Sequence, residues 1–110
     1  MTKSGKATAV VNGTTVAEAT SWEEVDGNVY FPPSSVRSEV LEKTAHTTFC
    51  PWKGTASYYS VKVGEGTADE EVLDGKLENA AWYYPTPKDA AGEIKDHVAF
   101  YKSKVTVKVE

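Results

Sequence analysis

Turn dipeptides are the feature that most constrains how this chain can fold. Asn12-Gly13 and Asp26-Gly27 each lie between two runs of β-forming residues, and Asp74-Gly75 precedes a further run. Asparagine, aspartate and glycine tolerate the positive φ that a two-residue hairpin turn requires, so these pairs predict hairpins. Pro32-Pro33 ends the strand that contains residues 29–31, because proline has no amide donor for a sheet ladder.

The other segments indicate more strands with short helical interruptions. "TASYYSVKV" and "KSKVTVKVE" alternate in side-chain character, the period-two pattern of a strand with one buried face. Ser34 or Ser35 is placed to cap a helix of about two turns that includes Val40. A second short helix is expected near residues 88–94. The chain therefore predicts eight to ten short strands and a mainly β, antiparallel fold with one or two short helices.

The amino-acid composition limits the classes of function that we expect for this protein. The 110 residues carry 12 Lys and Arg against 16 Asp and Glu, a formal net charge of -4. Phosphate-backbone binding needs a concentrated basic face, so nucleic acid is not expected as a partner. Neither a signal peptide nor an apolar run of roughly 20 residues occurs, so we expect a cytoplasmic protein without membrane contact. Without a repeat or linker, residues 1–110 are expected to form a single domain.

The single cysteine is the first candidate for covalent chemistry. His46, Thr48 and Cys50 alternate in "HTTFC" and would share one face of an extended strand. Such a strand separates His46 from Cys50 by about 13 Å, so a local thiol–imidazole pair needs a bend, and His97 could act only if the fold brought it close. A buried apolar filler is the alternative interpretation of Cys50. The candidate catalytic residues are Cys50, His46, His97 and Lys53.

Metal and cofactor signatures are missing from the sequence. One cysteine and two histidines, without a CxxC or HxxxH pair, do not supply the three or four ligands that zinc requires. The chain also lacks the glycine patterns of phosphate loops and dinucleotide sites. We therefore predict neither a metal nor a cofactor.

Aromatic residues gather in two stretches. "CPWKG" places Trp52 and Lys53 at a bend, which suits a pocket rim where an ammonium faces an anionic or carbonyl group. In "AAWYYPTP", Trp82 and Tyr84 would share one strand face and Tyr83 the other. An aromatic-walled pocket and a thick aromatic core both fit this pattern. The candidate ligand-binding residues are Thr48, Trp52, Lys53, Tyr58, Trp82 and Tyr84.

Four motifs also resemble a known family. "VYFPPSSV", "TTFCPWKGTASYYSV", "AAWYYPTP" and "HVAFY" occur in the order typical of the family catalogued as domain of unknown function 427, and the resemblance runs from about Ala9 to Lys102. It implies a compact fold of coiled antiparallel sheets, of the Mss4-like or β-tent type. Some related folds hold small molecules in aromatic pockets, and others bind zinc through paired cysteines, which Cys50 alone cannot provide. Where the family often has an acidic residue before a valine, this chain has Ser35.

Three functions remain open from the sequence. The favoured hypothesis is a binding module for a small polar or anionic organic molecule, with Lys53 supplying charge, Thr48 and Tyr84 hydrogen bonds, and two tryptophans the walls. The first alternative is an enzyme that uses Cys50 as a nucleophile or redox thiol with a histidine base. The second is a protein-interaction scaffold that uses an exposed sheet edge, as a monomer or a homodimer.

Overall fold

Two antiparallel sheets make up the fold in the computed structural model, which describes residues 1–62 and 76–110. The sheets have the strand orders β3-β2-β1-β8 (sheet one) and β4-β5-β6-β7 (sheet two). The mainly β, antiparallel fold predicted from the sequence is confirmed, whereas the predicted Asp74-Gly75 turn lies outside the described residues. The strands are β1 (Thr2–Val11), β2 (Thr14–Val25), β3 (Asn28–Tyr30), β4 (Leu41–Cys50), β5 (Gly54–Lys62), β6 (Lys76–Tyr83), β7 (Val98–Phe100) and β8 (Thr106–Val109).

Both predicted turns in the first thirty residues are present. Asn12 and Gly13 have φ values of 49° and 79°, and they connect β1 to β2. Asp26 and Gly27, with φ values of 54° and 78°, connect β2 to β3 in the same way. Positive φ at both central residues is what a right-twisted two-residue hairpin requires. Asp26 therefore lies at the tip of a hairpin.

The predicted two-turn helix after the proline pair is wrong. Two separate 3₁₀ turns, Pro33–Ser35 and Ser38–Val40, occupy this segment, and no side chain caps either of them. Arg37 between them is extended because its N–H donates to the carbonyl of Val16 in β2, at 2.9 Å. At the second expected helix, the segment Asp89–Ile94 forms 3₁₀ turns that are interrupted by the non-helical backbone of Ala91. Among the helices of the described segments, none is long and apolar enough to cross a membrane.

Buried side chains form two clusters that use opposite faces of sheet two. Along β5, Val61 and Tyr59 pack into or against the first cluster, whereas Ala56 and Tyr58 belong to the second. This alternation follows from the two-residue period of a strand. The first cluster includes the alanines of β1 and β2 together with Trp22, and it fills the space between the sheets. The second cluster is where the aromatic side chains gather.

A backbone junction ties the two sheets together. Phe31, directly after β3, donates its N–H to the carbonyl of Val98 in β7 at 2.8 Å and accepts from the Val98 N–H at 2.9 Å. The Phe31 ring is fully buried and meets the ring of Phe100 edge-on, with 5.7 Å between centroids. The β2–β3 hairpin is thereby fixed against sheet two, which places its tip beside the second cluster.

Candidate functional site

Aromatic side chains in the second cluster are linked through their polar atoms. The Trp82 Nε1–H donates to the Tyr30 hydroxyl at 3.1 Å. The Tyr58 hydroxyl lies 3.0 Å from Thr48 Oγ1 and 3.2 Å from the Tyr101 hydroxyl. Such links satisfy polar groups that burial would otherwise leave without partners. We call this group the tyrosine cluster: Tyr30, Tyr58, Tyr84, Tyr101 and Trp82.

Strand pairing explains how these rings meet. Trp82 in β6 lies directly opposite Tyr58 in β5 on one side and the small Ala99 in β7 on the other. The Trp82 centroid is 4.7 Å from that of Tyr101, just after β7, and 6.2 Å from that of Tyr30, where the rings meet edge-on. Cross-strand aromatic neighbours stabilise a sheet while exposing their polar edges to one another. The predicted sharing of one face by Trp82 and Tyr84, with Tyr83 on the other, is confirmed by the two clusters and by the stacking of Tyr83 on Tyr59.

Lys53 brings a positive charge to the edge of the tyrosine cluster. The residue is only 8% exposed, and its Nζ lies 2.8 Å from Asp26 Oδ2. The same nitrogen lies 5.4 Å from the Trp52 ring centroid and 5.6 Å from that of Tyr84, within cation–π range. Burial by itself would lower the pKa of Lys53, but the hydrogen bond that its ammonium donates to Asp26 and the oxygens of Tyr30 and Tyr84 outweigh it, so the pKa is raised. Lys53 is therefore a stable ammonium near neutral pH and not an amine base or nucleophile.

The bend "CPWKG" positions Lys53 through a close backbone approach. Cys50 and Gly54 are the last pair of the β4–β5 hairpin, and Gly54 has a φ of 111°, a value that other residues rarely adopt. A Cβ at Gly54 would lie 3.4 Å from the carbonyl oxygen of Thr86. The Lys53 carbonyl accepts a hydrogen bond from the Lys88 N–H at 2.9 Å. The segment after β6 thus packs against the bend and fixes the backbone of Lys53.

His46 and His97 each contact residues other than Cys50. The His46 ring packs on the Tyr58 ring, with centroids 4.5 Å apart, and Cys50 is half-buried. The ring Nδ1 of His97 lies 3.0 Å from the carbonyl oxygen of Lys95. Within residues 1–62 and 76–110, no hydrogen bond joins the Cys50 sulfur to a histidine, and no three metal-ligating side chains group together. The His46, Thr48 and Cys50 side chains lie along the predicted strand, but only Thr48 hydrogen-bonds with the tyrosine cluster.

Two hydroxyls of the cluster, those of Tyr84 and Tyr101, have raised pKa values. The hydrogen bond to Tyr58, followed by burial, raises the pKa of Tyr101 to about 12. Burial raises the pKa of Tyr84, and the nearby Lys53 ammonium only partly opposes that change. Phenols with raised pKa values keep their protons, so each can donate a hydrogen bond to an oxygen of a ligand. The site therefore combines the Lys53 ammonium with the neutral O–H groups of Tyr84 and Tyr101.

The tyrosine cluster is a packed group with an exposed rim. Trp52 is 42% exposed and Tyr101 is 38% exposed, whereas Tyr30, Tyr58 and Tyr84 are buried. Three surface grooves, of about 350, 430 and 400 Å³, lie elsewhere and are not lined by Lys53 or the cluster. The ligand-binding cleft expected from the sequence stays a prediction, and Asp26 lies against the Lys53 ammonium at 2.8 Å.

Comparison with known proteins gives the family. The profile of a family described as Domain of unknown function (DUF427) matches residues 2–110. The chain belongs to this family. The motif resemblance noted in the sequence is confirmed, while no curated protein matches the chain. Because the DUF427 description assigns no activity, a function for the chain has to be argued from the site itself.

The structure brings together all six candidate ligand-binding residues around the DUF427 motif "CPWKG", but sequence reasoning missed three of their neighbours. Asp26 was recognised only as a turn residue, because nothing local indicates that its carboxylate meets a lysine 27 positions later. Tyr30 and Tyr101 did carry a signal, since each belongs to a motif of the DUF427 pattern, "VYFP" and "VAFY". For these two tyrosines, the signal in the sequence was membership of a family motif and not a local periodic pattern.

Proposed function

We propose that this DUF427 domain binds a small polar or anionic organic molecule at the rim of the tyrosine cluster. The observation that carries the proposal is the position of Lys53, a buried residue whose ammonium lies within cation–π range of two aromatic rings. Removing an ammonium from water is unfavourable unless an anion or hydrogen-bond acceptor replaces the solvent. A site that provides this charge together with flat rings suits a ligand that has an oxygen anion or carbonyl and an apolar part.

Each side chain has a separate role in this binding. Lys53 contacts the anionic or carbonyl oxygen, and the hydroxyls of Thr48, Tyr58 and Tyr84 donate hydrogen bonds around it. The rings of Trp52 and Trp82 provide the flat surface for the apolar part of the ligand. We propose binding without conversion, because the His46 ring packs on Tyr58 and the His97 ring lies against the Lys95 carbonyl.

Tryptophan signals provide a direct test. The chain has three tryptophans, of which Trp52 and Trp82 lie at the site and Trp22 lies in the first cluster. We would titrate ¹⁵N-labelled protein with small carboxylates, inorganic phosphate and neutral amides, and follow the three indole N–H signals. Ligand binding at the rim shifts the signals of Trp52 and Trp82 in a saturable way and leaves that of Trp22 in place.

Two lysine variants distinguish the contribution of Lys53 to ligand binding from a general effect of net charge. Lys53→Met should weaken binding of the best probe by about tenfold or more, the loss expected when a buried charge contact is removed. Lys6→Met is the matched control, because Lys6 is exposed on sheet one and pairs only loosely with Glu18 at 3.8 Å. Equal binding by Lys53→Met and wild type, or shifts of all three tryptophans together, would contradict the proposal.

A further inference from the structure

The anion that Lys53 contacts belongs to the protein itself. The Lys53 Nζ and Asp26 Oδ2 lie 2.8 Å apart, yet the lysine side chain is 10% exposed and the aspartate side chain 53%. The buried partner is thus the cation, and the carboxylate reaches it from the surface. When the Asp26 side chain rotates away from this ion pair, the Lys53 ammonium is left open to solvent.

The turn does not need the carboxylate of Asp26. Its backbone has a φ of 54° and is followed by Gly27 at 78°, the conformation for which asparagine and glycine are equally suitable. The tip is also held by another contact, since the Lys102 Nζ donates to the Gly27 carbonyl at 3.0 Å. The negative charge of Asp26 therefore serves Lys53 and not the hairpin.

We propose that Asp26 is an internal occupant of the binding site and that the ligand is a small carboxylate that takes its place on Lys53. This inference rests on the proposed function and names its ligand class. Asp26 itself demonstrates that a carboxylate fits against the ammonium at hydrogen-bond distance. One buried ammonium balances one negative charge, whereas a doubly charged phosphate would retain a charge beside neutral phenols.

Occupation by Asp26 would set the affinity of the site. A ligand binds only to the fraction of molecules in which Asp26 has left the ammonium, so its apparent affinity falls by that fraction. The half-exposed position of Asp26 allows it to leave by rotation of the side chain, without a change in the strands. The apolar part of the carboxylate then lies against the exposed Trp52 ring, which flanks the same nitrogen.

Benzoate is a suitable probe, with benzamide as its uncharged analogue and inorganic phosphate as a different anion. We would measure the dissociation constant of benzoate from the indole signals of Trp52 and Trp82. Asp26→Asn, which produces an Asn-Gly turn, should bind benzoate about fivefold or more tightly than wild type. Asp26→Gly also accepts positive φ and should give the same result. Glu18→Gln, which removes an equal charge from exposed β2, should not change the affinity.

The outcomes distinguish the inference from the function on which it rests. Equal benzoate affinities of wild type and both Asp26 variants, with binding lost in Lys53→Met, would overturn internal occupation and leave the proposed function standing. The carboxylate class would be overturned if benzamide bound as tightly as benzoate. It would also be overturned if Asp26→Asn increased the affinity for phosphate more than the affinity for benzoate. No shift of Trp52 or Trp82 with any probe in any variant would overturn both proposals. An unshifted Trp22 signal checks that each variant is folded.

Discussion

The charged ammonium of Lys53 is buried, whereas most lysines bury only the aliphatic part of the side chain. Exposed lysines extend the ammonium into water, but here the ammonium lies between the faces of Trp52 and Tyr84 and against Asp26. Each cation–π contact contributes about 0.5–2 kcal/mol, so the rings offset part of the lost hydration. The local motif "CPWKG" places Trp52 beside Lys53, and their use as the rim of a ligand pocket stays a prediction. The partner Asp26 could not be predicted, because it reaches the site through the packing of a distant hairpin.

Tyr101 determines part of the response of the protein to alkali. Its pKa is raised to about 12 in the folded protein, whereas an unfolded tyrosine titrates near 10. The folded form therefore keeps a proton that the unfolded form loses, and the stability it contributes is complete below about pH 10 and lost as the pH rises towards 12. We expect the urea midpoint of Tyr101→Phe to decline less steeply than that of wild type across this pH range. Identical slopes would show that the Tyr58–Tyr101 hydrogen bond does not control this titration.

At the scale of elements, the bend between β4 and β5 depends on one glycine. Gly54 has a φ of 111° and is approached by the backbone of residues 86–88, so a side chain there is strained. We expect Gly54→Ala to lower the free energy of unfolding by about 1–3 kcal/mol, measured by chemical denaturation. Gly92→Ala is the control, because a Cβ at Gly92 meets nothing within 4 Å, and its effect should stay within about 0.5 kcal/mol. Similar losses in both variants would contradict the role of the bend.

Turns and strands could be predicted from the sequence where the residues that determine them are neighbours in the chain. The Asn12-Gly13 and Asp26-Gly27 turns follow from the φ preferences of those residues, and strand alternation placed Trp82 and Tyr84 together correctly. The absence of a two-turn helix after Pro33 was not predictable, because it depends on a hydrogen bond from Arg37 to β2, far away in sequence. Tertiary pairing of this kind regularly overrides short helical patterns.

At the scale of the whole molecule, Phe31 is the residue that connects the sheets. Its backbone pairs with Val98 and its fully buried ring packs on Phe100. We expect Phe31→Ala to lower the free energy of unfolding by about 3–5 kcal/mol, the usual cost of emptying a buried phenylalanine site. Phe49→Ala is the control, since Phe49 is 65% exposed, and it should change stability by about 0.5 kcal/mol or less. Equal effects of the two truncations would mean that the junction is not a stabilising contact.

The site is also a property of the whole molecule. Its side chains come from the β2–β3 turn, the β4–β5 hairpin, β6 and the residue after β7, so no single segment contains it. The sequence indicated the charged and aromatic residues that gather here, because their chemical character is visible in the motifs, and their role in binding stays a prediction. It did not indicate that the rim would be covered, since this depends on how the Phe31–Val98 junction orients the hairpin.

Pairing of β1 with β8 has a consequence for biosynthesis. Ala7 to Val10 pair with the strand Thr106–Val109, close to a hundred residues later in the chain. At about 5–20 residues per second, roughly five to twenty seconds pass between the translation of the two strands. During this interval β1 has a partner in β2 on one side only, and an unpaired strand edge is a template for association with other chains. The β1 edge of a nascent chain is therefore open to association with other chains until β8 pairs with it.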